Sequence, residues 1–178
     1  MKITFIGTGT MASTTRCNTS VLVDDILFDI GMGTVKQIER LKIYTKTINY
    51  MVISHFHADH FLDIPNFLFG RIIRKEAEKK LTIIGPIGIK RKTIELMNFT
   101  HSDGDEHRYD NLEEKYNIEF IELDNKDFYC TNEFKITAFG SMSSFWTLFL
   151  RIFFTFLLVS HYPNIPFDFL VHMVLYSR

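Results

Sequence analysis

The stretch Ser54-His55-Phe56-His57-Ala58-Asp59-His60 sets three imidazoles and one carboxylate within six consecutive positions, directly after the apolar run Tyr50-Met51-Val52-Ile53. Borderline metals such as zinc are bound by neutral imidazole nitrogen and carboxylate oxygen, so the cluster reads first as a metal site. His55 and His57, two apart on chain leaving a strand, project to one side and can share an ion. Asp59 and His60, on the turn that follows, can point at a second position close by. The spacing therefore suggests two metals. Three imidazoles packed together would repel one another once protonated and would add nothing to folding, whereas a bound metal offsets that cost.

Outside this stretch the 178-residue chain is 46% hydrophobic and 23% charged, the composition of one domain, or one domain with a short appendage, that buries a core. A net charge of −1 gives no global basic field for nucleic acid, leaving only a local patch open. Cys17 and Cys130 lie far apart in no CxxC pattern. With no signal peptide at the start, they read as free thiols of a cytoplasmic protein, each a small buried hydrophobe.

Around the cluster the chain alternates short apolar runs with helical periodicity. Lys2 to Ile6, Ser20 to Val23, Ile26 to Asp29 and Tyr50 to Ser54 read as strands, with Asp24-Asp25 as a hairpin turn. Thr34 to Leu41 has helical spacing with Thr34 as N-cap, and a second helix carries Ile64, Phe67, Leu68 and Ile72 on one stripe. Further on, Leu81 to Ile84, Ile118 to Leu123 and Phe134 to Phe139 read as strands, Ile87 to Phe99 as a helix, and His101 to Asn111 as a polar loop. Strands interspersed with helices predict an α/β layered domain. The basic residues Arg71, Arg74, Lys75, Lys79 and Lys80, interleaved with Glu76 and Glu78, read as a solvated face rather than an RNA contact. Gly7 and Gly9 read as turn residues and Asp63 as a helix start.

The pattern His-x-His-x-Asp-His at 55, 57, 59 and 60, after a strand and before a helix, resembles the signature of the metallo-β-lactamase superfamily. Met1-Lys2-Ile3-Thr4-Phe5-Ile6-Gly7-Thr8-Gly9 is similar to that family's first strand and glycine turn, and Leu27-Phe28-Asp29-Ile30-Gly31 to the strand end that supports its metals. Leu62-Asp63-Ile64-Pro65, Ile84-Gly85-Pro86 and Arg16-Cys17-Asn18 resemble the ribonuclease Z branch. The resemblance covers residues 1 to 139 and implies an αββα layered fold of which this is the first half, a mixed sheet with flanking helices. It implies that His55 and His57 hold one zinc, that Asp59 and His60 hold another, and that Asp29 orients the cluster as a supporting group. It implies a catalytic role for Asp59 in placing the attacking water, and hydrolysis of a phosphodiester at the 3′ end of precursor tRNA. Manganese or iron would use the same ligand types.

The family pattern also demands a third histidine, a bridging aspartate and a last histidine. After the strand ending at Phe139 the chain instead reads Gly140-Ser141-Met142-Ser143-Ser144-Phe145. His101, His107, His161, His172 and Asp168 match none of the missing motifs. Of 41 charged residues only Arg151, Asp168 and Arg178 lie beyond position 140. Residues 140 to 178 thus form an anomalous hydrophobic tail, distinct from 1 to 139, that reads as a frameshift product or a membrane segment. As a span, Phe145 to Val159 is short, about 22 Å against a bilayer core near 30 Å. Arg151 at its middle adds a cost of about 2.5–3.5 kcal/mol. The expectations set here are a zinc hydrolase acting on precursor tRNA, its activity open to loss through disruption of its C-terminal part; another zinc hydrolase of the superfamily, acting on a cyclic nucleotide, small phosphodiester or thioester; or a noncatalytic, metal-binding or membrane-attached remnant. An uncovered sheet face would also favour a homodimer.

Overall fold

Three strands carry the architecture of the computed structural model because their sequences are apolar at every position but Thr82. β3 (Ile26–Phe28) and β5 (Leu81–Pro86) are buried throughout, and between them β4 (Tyr50–Val52) pairs parallel with both. Strands covered on both faces read as continuous rather than alternating hydrophobic runs. The structure describes residues 1–101 and 108–139, together with the backbone of Phe153–Phe156 and Phe169–His172.

The chain divides into two compact units, Met1–Glu122 and Leu123–Arg178. In the first, β1 (Ile3–Gly7) and β2 (Ser20–Val23) form an antiparallel pair, and β2 turns back onto β3 at Asp24 and Asp25. With β6 (Ile118–Leu123) the six strands lie in the order β1-β2-β3-β4-β5-β6. Parallel neighbours need crossovers, and these are helical. Helix α1 (Thr34–Arg40) links β3 to β4, whereas α2 (Ala58–Phe61) and α3 (Ile64–Ile73) link β4 to β5. Helices α4 (Ile89–His101) and α5 (Leu112–Tyr116) follow. Leu22, Leu27, Met51 and Ile83 of the sheet share one core with Ile38 of α1, Phe67 and Leu68 of α3, Met97 of α4 and Tyr116 of α5. The mixed sheet with flanking helices is the expected fold class.

Several local expectations need correction. Thr34 is not the N-cap of α1. That position belongs to Gly33 at φ +85°, and Thr34 is fully buried inside the first turn. The cap is supplied from elsewhere, because the Val35 N–H donates to Asp63 Oδ2 at 2.8 Å. Asp63 also stands at the start of α3, where its Oδ1 accepts from the Asn66 side chain rather than from the helix backbone. Arg71 is not on a solvated face; it is fully buried, and its Nη2 donates to the carbonyls of Glu76 and Lys79, clamping the loop after α3. His101 ends α4 rather than opening a loop, and α5 begins at Leu112, directly after the expected loop, in a stretch with no predicted element.

In the second unit β7 (Phe128–Cys130) and β8 (Lys135–Thr137) form an antiparallel hairpin, within a sheet ordered β10-β9-β8-β7. β8 is shorter than the strand expected over Phe134 to Phe139, and β7 had no clear signal in its polar surroundings. Cys130 is exposed rather than buried, and Cys17 is half-buried. Most of the hydrophobic tail lies outside the described residues, apart from the backbone of β9 (Phe153–Phe156) and β10 (Phe169–His172). No helix among the described residues is long and apolar enough to cross a membrane.

Candidate metal centre

β3 and β4 run parallel in the register Phe28↔Val52, so the residues that leave their C-terminal ends emerge side by side. Asp29 follows β3, and Ile53, Ser54 and His55 follow β4. The open ends of parallel strands are a usual position for ligand sites. Asp29 is almost fully buried and sits at φ +53°, a left-handed conformation that aspartate tolerates better than most residues. Its own N–H donates to Val52 O at 2.8 Å, and the next N–H, of Ile30, donates to His60 O at 2.8 Å. The backbone thereby ties the end of β3 to both ends of the histidine loop.

The Asp29 carboxylate accepts three hydrogen bonds. The Ser54 N–H reaches Oδ1 at 2.7 Å, and the Ser54 hydroxyl reaches Oδ2 at 2.8 Å. His60 Nδ1 lies 2.7 Å from the same Oδ2, an arrangement that puts the ring proton on Nδ1. Burial lowers the pKa of His60, but the hydrogen bond and charge of Asp29, with the charge of Asp59, outweigh it and leave the pKa raised. Burial, with His60 nearby, instead pushes His55 down to about 4.

The other members gather around this anchor. The His55 ring lies 4.7 Å from that of His57 and 4.1 Å from that of His60. His60 Nε2 stands 3.5 Å from Asp59 Oδ2. Two ligands at zinc bond lengths of 2.0–2.1 Å and tetrahedral angles are about 3.3 Å apart, so this pair has the spacing of two donors to one ion. Phe56, between the two histidines, packs against the core and meets Phe61 edge to face at 5.5 Å. His57 is exposed, while His55, Asp59 and His60 are half-buried. The donor types and the Asp59–His60 spacing suit zinc. Among the described residues no three His, Cys, Asp or Glu side chains stand in the geometry that holds a metal ion.

Two residues matter here that sequence reasoning passed over. Ser54 had only its place before His55 as a signal. Gly31 had its place after Asp29-Ile30, but nothing to indicate that a Cβ there would lie 1.9 Å from the Asp59 carbonyl oxygen. Asn18 closes the same region: with its amide oriented to satisfy both partners, its nitrogen donates to Thr10 O and its oxygen accepts from the Met32 N–H, both at 3.1 Å. Of the other candidates, His101 packs its ring 5.1 Å from Phe69, and burial lowers its pKa. His107, His161 and Asp168 lie outside the described residues, and for His172 only the backbone, at the end of β10, is described.

A mixed sheet with crossover helices and a histidine-rich loop at the open ends of its parallel strands defines the metallo-β-lactamase fold class. Solved structures bear out the fold. Human tRNase Z, short form, superposes with a TM-score of 0.66 at 21% identity, covering 88% of this chain and 65% of that one. The metallo-β-lactamase fold protein YhfI from Bacillus subtilis superposes at 0.59 with 18% identity, covering 86% and 56%. Within this class the chain belongs, through residues 1–143, to the family described as Anti-Pycsar protein Apyc1. It is also similar to curated proteins named Ribonuclease Z. That of Staphylococcus carnosus is 32% identical over 148 residues, 79% of this chain and 45% of the relative. That of Staphylococcus saprophyticus is 31% identical over 146 residues, 78% and 44%. The chain spans about half the length of the curated relatives it matches.

Proposed function

We propose that this chain carries the N-terminal ligand set of a zinc-dependent hydrolase that cleaves phosphodiesters, with the 3′ end of precursor tRNA as substrate class. The observation that carries the reading is the Asp59–His60 pair, held at the spacing of two donors to one ion while Asp29 fixes the His60 ring from behind. In this reading His55 and His57 hold one zinc, and Asp59 and His60 the other. Such ions, when bound, supply a water of lowered pKa and a counter-charge for the oxygens of a phosphodiester. Asp29 keeps the His60 proton on Nδ1 and so directs Nε2 outward. Asp59, 18% exposed at its side chain, accepts a hydrogen bond from the attacking water. The similarity to proteins named Ribonuclease Z supports RNA as the substrate.

A second reading stands beside it, because the family match carries the name Anti-Pycsar protein Apyc1 and the curated relatives the name Ribonuclease Z: the same ligand set then acts on a small phosphodiester such as a cyclic nucleotide. The third histidine, bridging aspartate and last histidine of the family pattern have no counterpart among the described residues, so metal binding without turnover is the third outcome.

The deciding experiment pairs metal content by elemental analysis with hydrolysis of precursor tRNA and of small phosphodiesters, before and after His57→Ala. Bound zinc together with tRNA cleavage that His57→Ala abolishes supports the proposal. Cleavage confined to small phosphodiesters transfers it to the second reading. Zinc without any hydrolysis removes the enzyme reading for this chain, and a chain that takes up no metal removes all three.

A further inference from the structure

We infer that Ser54 is a positioning residue that couples His55 to the buried Asp29 carboxylate, so that one carboxylate sets the ring orientation of a histidine from each proposed pair. The inference deepens the proposed function and rests on it for its consequence in metal binding. Ser54 is buried, and its hydroxyl oxygen lies 2.8 Å from Asp29 Oδ2 and 3.0 Å from His55 Nδ1. A carboxylate offers only acceptor sites, and a hydroxyl has a single proton to give. The Ser54 proton therefore goes to Asp29, and Ser54 Oγ meets His55 as an acceptor. That requires the His55 proton on Nδ1 and makes Nε2 its lone-pair nitrogen.

The same Asp29 oxygen accepts from His60 Nδ1 at 2.7 Å, which makes Nε2 the lone-pair nitrogen there as well. The chain of bonds runs from the His55 ring through the Ser54 hydroxyl to Asp29 and back to the His60 ring. The Ser54 N–H on Oδ1 prevents the carboxylate from rotating out of it. Such outer partners fix tautomer and ring orientation and raise the basicity of the ligand nitrogen. Here a single hydroxyl extends that control from the Asp59–His60 pair to His55.

The test is nitrogen-15 NMR of the imidazole rings in the metal-free chain, for wild type, Ser54→Ala and Ser54→Thr, followed by zinc titration of the same proteins against a competing chelator. Wild type and Ser54→Thr should show His55 and His60 protonated at Nδ1. Ser54→Ala should move the His55 proton to Nε2 while leaving His60 unchanged, and should weaken zinc binding about 10- to 100-fold, the usual effect of losing an outer partner. A wild-type His55 carrying its proton on Nε2 overturns the inference whether or not the alanine variant folds. So does a Ser54→Ala protein with the wild-type tautomer or wild-type zinc affinity. A wild-type chain that binds no zinc defeats the proposed function, while the metal-free spectra still decide the Ser54 link.

Discussion

Replacing Gly31 by alanine is expected to destabilise the first unit and to disturb the proposed ligands together. An ideal Cβ at Gly31 lies 1.9 Å from the Asp59 carbonyl oxygen, 2.3 Å from its carbon and 2.8 Å from Asn18 Cβ. None of these atoms is the end of a flexible side chain, so the Asp59 backbone must withdraw by more than roughly 1 Å. That withdrawal pulls on the hydrogen bond from the Ile30 N–H to His60 O, which holds the loop against the end of β3. Overpacking of this kind costs about 1–3 kcal/mol and a lost backbone hydrogen bond about 1 more, less up to about 1 recovered from the stiffer unfolded chain. With a net loss of about 1–4 kcal/mol and an unfolding entropy of about 2.1 cal/mol/K per residue over the first unit, Met1–Glu122, the Tm of that unit falls by about 4–16 °C. Because Asp59 and His60 move with their backbone, zinc affinity falls by at least about tenfold. Thermal melting by circular dichroism and a zinc competition titration check the two effects. A Gly31→Ala protein that melts within about 1 °C of wild type and binds zinc equally would refute the close approach on which the reasoning depends.

Gly70→Ala is the counter-case: the Cβ there would meet only the guanidinium of Arg74, a flexible and partly exposed side chain that can swing aside. Alanine inside α3 should then stabilise by about 0.5–1 kcal/mol through helix propensity, seen as a raised urea midpoint; a lowered midpoint counts against it. Asp29→Asn keeps the shape but turns an acceptor into a donor facing Ser54 Oγ and His60 Nδ1. It should cost about 10- to 100-fold in zinc affinity by chelator competition, and unchanged affinity would remove Asp29 from its supporting role. Tyr116 is buried, and that burial, with Tyr109 beside it, pushes its phenol from 10.0 up to about 12. Since the unfolded chain releases this proton first, stability is full below pH 10 and falls as pH rises toward 12, by up to about 2–3 kcal/mol. Tyr116→Phe should flatten that alkaline slope in urea titrations, and an unchanged slope would show that the loss has another source.

Much of the fold was legible because its signals are local. The hairpin at Asp24 and Asp25, the largely apolar runs of β3 and β5, and the helical stripe through Ile64, Phe67 and Leu68 each follow from neighbouring residues. The errors share a cause. Thr34 has the chemistry of an N-cap, yet the carboxylate that caps α1 comes from Asp63, 28 positions after the Val35 N–H that it accepts. Arg71 looked solvated because its sequence neighbours are charged, whereas its guanidinium turns inward to loop carbonyls. Contacts made across a fold leave no periodicity for a sequence to display.

The candidate site divides along the same line. The sequence by itself determined the donor set, because three imidazoles and a carboxylate in six positions have little other use, and it determined their order after a strand and before a helix. Only the tertiary structure decided that Asp29, 31 positions before His60, holds that ring, that Ser54 stands between Asp29 and His55, and that Gly31 leaves room for the Asp59 carbonyl. The physical reason is the parallel register of β3 and β4, which brings two distant chain segments out at one edge.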